Sequence, residues 1–160
     1  VKLYKVVQMR QYFIRHGHAY EIFDWNGSDL TRPLTPEGKQ KVKMASEKFF
    51  SKYPVPEQIV SSKAVRAIET AEIIASVTGA TLSTTELLNP GADAETWLKV
   101  VSKYSAIKTV AFVGHETDMS DFLSFYAAES CIGIVFKKGS ICHLENRLLV
   151  NLVQQKLLLD

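Results

Sequence analysis

Three places in this chain set a basic or imidazole side chain directly after a short apolar run. Arg15-His16-Gly17 follows Gln11 to Ile14. Ser61-Ser62 follows Gln58 to Val60 and leads to Arg66. Gly114-His115 follows Thr109 to Val113. Arginine offers a rigid fork of donors that fits phosphate oxygens. A neutral imidazole carries a lone pair that can attack phosphorus. Gly17 would let the chain turn tightly with its backbone N–H groups facing inward. One such ending is equally well a strand end with an incidental basic pair. Three endings brought to one sheet edge would make a pocket of two arginines and two imidazoles. The natural ligand of that pocket is a phosphoryl group.

The elements that must position these residues are legible in order. Residues 9–15 read as a strand, since Tyr12, Phe13 and Ile14 are too few for a helix and of strand-favouring type. Residues 18–34, with Asp24, Asn26, Gly27, Ser28 and Asp29, read as a loop that can hold a short helical turn and shape a pocket rim. Thr35 caps a helix with Pro36 at its first position, and Val42, Ala45, Phe49 and Phe50 form its apolar side. Tyr53-Pro54-Val55-Pro56 stops it. A strand over Gln58–Val60 leads to a helix with Ala64, Ala67, Ile68, Ala71, Ile74 and Ala75 on one face, ending at Thr78-Gly79.

Leu82–Thr85 reads as an edge strand and Glu86–Gly91 as a loop. Asp93 caps a helix from Ala94 to about Tyr104, with Trp97, Leu98 and Val101 inward. Thr109–Val113 is a near-continuous apolar run, the mark of a strand buried on both faces. Thr117 or Asp118 starts a further helix with Phe122, Leu123 and Phe125 inward. Ile141–Leu144 and Leu148–Val153 read as a hairpin, and Cys131–Phe136 as either a strand or an extended return. The alternation of strands and helices predicts a three-layer α/β sandwich, with helices on both faces of a mostly parallel sheet.

The 160 residues suit one domain, 1–160, with a real core. A hydrophobic fraction of 46% and a charged fraction of 22% are ordinary for a globular protein. A net charge of +2 implies no general polyanion surface, so nucleic acid is not an expected partner, and the lysines of 39–52 read as a solvated helix face. No apolar run reaches membrane-spanning length, and Val1–Val7 lacks the h-region of a secretory signal. Cys131 and Cys142 are too few for a disulfide framework. Reduced thiols and a cytoplasmic setting are expected.

The chain resembles the histidine phosphatase superfamily, which includes cofactor-dependent phosphoglycerate mutases and acid phosphatases. Arg15-His16-Gly17-His18-Ala19 is similar to that family's first signature, Ser61 to Ala71 to its second, and Val113-Gly114-His115-Glu116 to its third. Arg32-Pro33-Leu34-Thr35-Pro36-Glu37-Gly38 and the compact length resemble the small bacterial branch that contains a phosphohistidine phosphatase. The resemblance implies a phosphoglycerate mutase-like fold and a metal-independent hydrolase without cofactor. It implies that His16 is the nucleophile and forms a phosphohistidine, while Arg15, Arg66 and His115 hold the phosphoryl oxygens. Glu86 is the expected acid for an alkoxide leaving group, with Asp24, Asp29 and Glu116 as alternatives. Ser62 either donates to phosphate or caps a helix, and Thr117 either touches phosphate or serves as an N-cap.

His18, two residues from His16, reads as pocket rim rather than a metal ligand, and no metal is expected. Trp97 and Tyr104 read as core, and His143 as structural or exposed. The expected substrate is a phosphohistidine, in a small molecule or a protein, or a small phosphomonoester. A phosphomutase acting on a small phosphorylated metabolite and a non-catalytic phosphate-recognition domain are the competing readings. The residues leave the oligomeric state open.

Overall fold

The chain runs β1 (Arg10–Arg15), α1 (Pro36–Phe50), β2 (Gln58–Ser62), α2 (Val65–Thr78), β3 (Thr81–Thr85), α3 (Ala94–Lys103), β4 (Thr109–Gly114), α4 (Asp118–Ala128), β5 (Ile141–Glu145) and β6 (Leu148–Val153). These elements come from a computed structural model that describes residues 9–128 and 133–160. The strands form one sheet in the order β3-β2-β4-β1-β5-β6. β1 to β4 are mutually parallel where they pair, and β5 and β6 are antiparallel additions at one side. β4 lies between β1 and β2, and every one of its residues is buried.

Alternation along β1 splits the core in two. Tyr12 and Ile14 face a cluster with Val42 and Phe49 of α1 and Ala67, Ala71 and Ile74 of α2. Phe13 faces the other side, with Trp97 and Val101 of α3 and Met119 and Phe122 of α4. This is the expected α/β sandwich with helices on both sheet faces. Small residues on α2 let it lie close to α1 and the sheet. Among the described residues no helix is long and apolar enough to cross a membrane.

Local chemistry sets the helix ends. Thr35 Oγ1 accepts the Gly38 N–H at 2.9 Å with Pro36 opening α1, and Asp93 Oδ1 accepts the Thr96 N–H at 2.8 Å to open α3. Gly79 ends α2 in the left-handed region, at φ 76°.

Two details differ from the sequence reading, and a third decides between alternatives it left open. β2 continues through Ser61 and Ser62, because both pair in register with β3. Phe125 is 54% exposed. Met119, Phe122, Leu123 and Tyr126 form the buried stripe of α4 at helical spacing, and Phe125 falls outside it. Residues 133–137 carry no regular structure, although Phe136 is buried. The expectations for Val1–Val7 and for the Cys131–Ile132 start of the return segment lie outside the described residues.

Candidate active site

The sheet order places the ends of β2, β4 and β1 side by side. Arg15 pairs with Gly114 and Ser61 with Val113, so the residues that follow each strand emerge at one level of the sheet edge. His16 and His115 therefore meet across the β1–β4 boundary, with ring centroids 5.2 Å apart. Both are buried. α2 starts just beyond β2 and carries Arg66 into the same space, where its Nε lies 3.4 Å from His16 Nε2.

Hydrogen bonds fix the tautomer of His16. Its Nδ1 lies 2.8 Å from the Gly17 carbonyl oxygen, which can only accept, so Nδ1 carries the proton. Nε2 is then the lone-pair nitrogen, and it receives the Arg66 Nε–H. Burial, reinforced by His115 and countered in part by the Gly17 bond, lowers the pKa of His16 well below the usual histidine value. The site thus favours an uncharged imidazole whose Nε2 lone pair faces Arg66.

His115 is fixed by a relay. Asn89 Oδ1 accepts the Lys63 N–H at 2.9 Å and sits 3.0 Å from Ser62 Oγ. The amide oxygen cannot donate, so the Ser62 hydroxyl donates to it. Ser62 Oγ then accepts from the Ala64 N–H at 3.1 Å and from His115 Nε2 at 2.9 Å. His115 therefore carries its proton on Nε2, and its buried Nδ1 has no partner among the described residues. Burial, followed by Arg66, pushes its pKa down to about 3. The relay engages Ser62 fully and joins three segments of chain through one hydroxyl.

Arg66 is held from the loop over the site. Its two terminal nitrogens donate to the Asp29 carbonyl oxygen at 2.7 Å and to Asp29 Oδ2 at 2.9 Å. Asp29 Oδ1 accepts from Arg32 Nε at 3.1 Å and Nη2 at 2.8 Å. Burial opposes ionisation of Asp29, yet the two arginines hold its pKa below the usual value. Asp29 is thus a carboxylate partner of Arg66. The Asp29-Leu30-Thr31-Arg32 spacing signals the Asp29–Arg32 pair, because three residues bring side chains together over one turn, but not the contact with Arg66. Asn89 escaped notice because its signal, Asn89-Pro90-Gly91, is that of an ordinary turn.

Arg15 lies at the same edge, with Nη1 donating to the Phe136 carbonyl at 2.8 Å and Nε buried without a partner among the described residues. The Gly17 N–H donates to Thr70 Oγ1 at 3.0 Å and the His16 N–H to the Gly114 carbonyl at 3.1 Å. These amides therefore do not face inward as an anion nest. Gly17 does not have a positive φ. It is needed because a Cβ there would come within 2.4 Å of Val42 Cγ2.

The remaining sequence candidates sit farther out. Glu86 has a 73% exposed side chain paired with Lys63 Nζ at 2.9 Å, and that bond lowers its pKa. Thr117 is exposed, and its carbonyl accepts the Asp121 N–H at 3.0 Å as the first bond of α4. Glu116 is half-buried, and burial raises its pKa against the hydrogen bonds from Ser120. His18 Nδ1 is buried without a partner among the described residues. His143 is buried against Tyr12 and Tyr53, away from the site. Burial pushes the Cys142 thiol up to about 12. Among the described residues no three His, Cys, Asp or Glu side chains gather as a metal site.

Comparison with known proteins places the fold and the family. Over 91% of this chain and 97% of the other, the fold is similar to a candidate phosphohistidine phosphatase, SixA, from Agrobacterium tumefaciens, at TM-score 0.81 and 21% identity. It is similar to the protein histidine phosphatase SixA complexed with tungstate at TM-score 0.79 and 17% identity, covering 94% and 99% of the two chains. A mycobacterial glucosyl-3-phosphoglycerate phosphatase shares the fold at TM-score 0.67 and 18% identity, over 86% and 90%. An uncharacterized protein of Picosynechococcus sp. is 29% identical over 117 residues, 71% of this chain and 70% of the relative. The family model of the histidine phosphatase superfamily (branch 1) matches residues 11–90, which hold both the strand end bearing His16 and the helix start bearing Arg66. That match spans half of the 160 residues, and the chain belongs to the histidine phosphatase superfamily.

Proposed function

We propose that the protein is a phosphatase that hydrolyses phosphohistidine, or a small phosphomonoester, through a covalent phosphohistidine on His16. The observation that carries this reading is the paired state of His16: Nδ1–H on the Gly17 carbonyl, and Nε2 uncharged beside Arg66 and His115. The Nε2 lone pair attacks phosphorus, and the bond from phosphorus to the leaving group breaks, its electron pair departing with that group. Water then attacks phosphorus, the P–Nε2 bond breaks, and phosphate leaves. Arg15 and Arg66 hold the equatorial oxygens as charge develops on them.

His115 takes a second role in this reading. An incoming phosphoryl dianion raises the pKa of a buried imidazole beside it. Protonation would convert the partnerless Nδ1 into a donor toward the anion while Nε2–H stays on Ser62. Ser62 and Asn89 thus act on phosphate through His115.

Two of the three carboxyl groups near the site are held ionised, which supports a substrate whose leaving group needs no acid. Glu86 is exposed and held as a carboxylate by Lys63. Asp29 is ionised between two arginines. Glu116 is the alternative acid whose surroundings favour keeping a proton. An alkoxide leaving group needs such an acid, whereas a protonated imidazole leaves readily. The solved SixA structures, one with the oxyanion tungstate, support the same substrate class.

Phosphoenzyme trapping tests the reading. Incubation with phosphohistidine protein, phosphoramidate and small phosphomonoesters in turn should yield an acid-labile, base-stable adduct on residue 16. Hydrolysis of phosphohistidine should be the fastest. An adduct on another residue, or full turnover by His16→Ala, would defeat it. Return of phosphate to substrate rather than water would favour the mutase reading, and binding without turnover the recognition-domain reading.

A further inference from the structure

A second cavity opens beside the anion site. It has a volume of about 370 Å³ and is lined by Arg15, His18, Lys41, Lys137, Lys138 and Gln155. Three of these residues carry buried polar atoms without a partner among the described residues: Arg15 Nε, His18 Nδ1 and Gln155 Nε2. Gln155 as a whole is only 8% exposed. These atoms lie beneath the cavity surface and not on it, so the case for a ligand rests on the charge that lines the cavity. The cavity continues into a groove of about 600 Å³ that shares Lys41, Lys137, Lys138 and Gln155 and adds Lys156, Leu157 and Leu159.

The charge along this path is one-sided. Lys41 pairs with Glu37 at 2.5 Å and Lys138 with Glu21 at 3.1 Å, and both carboxylates are more than 60% exposed. Such solvated pairs are worth little and exchange readily for another acid. Lys137 and Lys156 are exposed and make no ion pair among the described residues. A low-dielectric cleft lined by one sign of charge concentrates the opposite sign.

We infer that this groove binds an acidic polypeptide segment flanking the phosphorylated residue of a protein substrate. The inference deepens the phosphatase reading and rests on it for the position of the reacting phosphoryl group. The shape selects a polypeptide over a second phosphate. The cations are strung along two joined cavities instead of converging on one point, and Leu157 and Leu159 add apolar lining to the larger one. One end of the groove is Arg15 and His18, the residues on either side of His16-Gly17. A chain lying in it would therefore deliver its phosphorylated side chain to the nucleophile.

The probe is a fluorescein-labelled, phosphate-free peptide of three Glu-Glu-Leu repeats, followed by fluorescence anisotropy on the full chain. Saturable binding is expected, and K137E/K156E should weaken it at least tenfold. K41E, on another wall of the groove, should weaken it independently, and circular dichroism on each variant confirms that the fold persists. His16→Ala should bind as wild type does, and inorganic phosphate should not compete. No binding by the wild type would overturn the inference. So would unchanged binding by folded K137E/K156E and K41E, displacement by inorganic phosphate, or equal affinity for a single-stranded oligonucleotide. Phosphoenzyme on His16 is measured separately, so failure of the groove leaves the phosphatase reading standing and the converse also holds.

Discussion

At the scale of single residues, the site is governed by which nitrogen holds a proton. Burial leaves His16 uncharged, its bonds to Gly17 and Arg66 leave Nε2 as the basic atom, and Ser62 leaves His115 with Nδ1 free. His16→Ala is expected to abolish phosphoenzyme formation while the far-ultraviolet circular dichroism stays native, since the ring sits at a strand end and outside both apolar clusters. Arg66→Ala removes the guanidinium beside His16 and leaves Asp29 paired with Arg32 alone. The expected loss in kcat/KM is about 10²–10³-fold, with weaker inhibition by vanadate or tungstate measured in the same assay. A change confined to KM would indicate that Arg66 contributes equally to ground-state and transition-state binding.

At the scale of elements, the site depends on the start of α1 pressing against the loop after His16. A Cβ at Gly38 would lie 2.0 Å from the His18 carbonyl oxygen, which itself accepts the Thr35 N–H at 3.0 Å. Backbone on both sides leaves no flexible atom to yield. Gly38→Ala is therefore expected to cost about 1–3 kcal/mol, read by denaturant unfolding. It should also lower turnover, because the displaced loop leads directly to His16. Trp97, wholly buried between Phe13 and Phe122, sits in the opposite core. Trp97→Ala should cost about 3–5 kcal/mol by the same measurement.

At the scale of the whole molecule, three buried histidines couple stability to pH. His16, His115 and His143 all have lowered pKa values, with burial as the first cause. Below about 6.5 the unfolded chain takes up protons that the native state refuses. Stability is therefore full above that pH and falls as the solution is acidified toward the native values, about 3 for His115. A histidine that stays neutral only in the native state contributes a slope of about 1.4 kcal/mol per pH unit. Unfolding free energies at several pH values between 6.5 and 4 should show this loss. His115→Gln should make the slope shallower by about one proton, and an unchanged slope would show that His115 is not held neutral.

Strand and helix placement were legible in the sequence because local rules decide them. Tyr12 to Ile14, the buried run of β4 and the caps at Thr35 and Asp93 each declare themselves within a few residues. So was the set of residues that the structure brings together, since His16, Arg66 and His115 each lie just past a strand end. Tertiary structure alone decided what those residues touch. The order β2-β4-β1 brings His16 to His115, and a loop 37 residues away from Arg66 supplies Asp29. The same holds for the Asn89–Ser62–His115 relay and for the lysine groove, whose members come from three distant segments. Proton position, desolvation and cleft charge depend on distance in space, and a linear order of residues does not contain that distance.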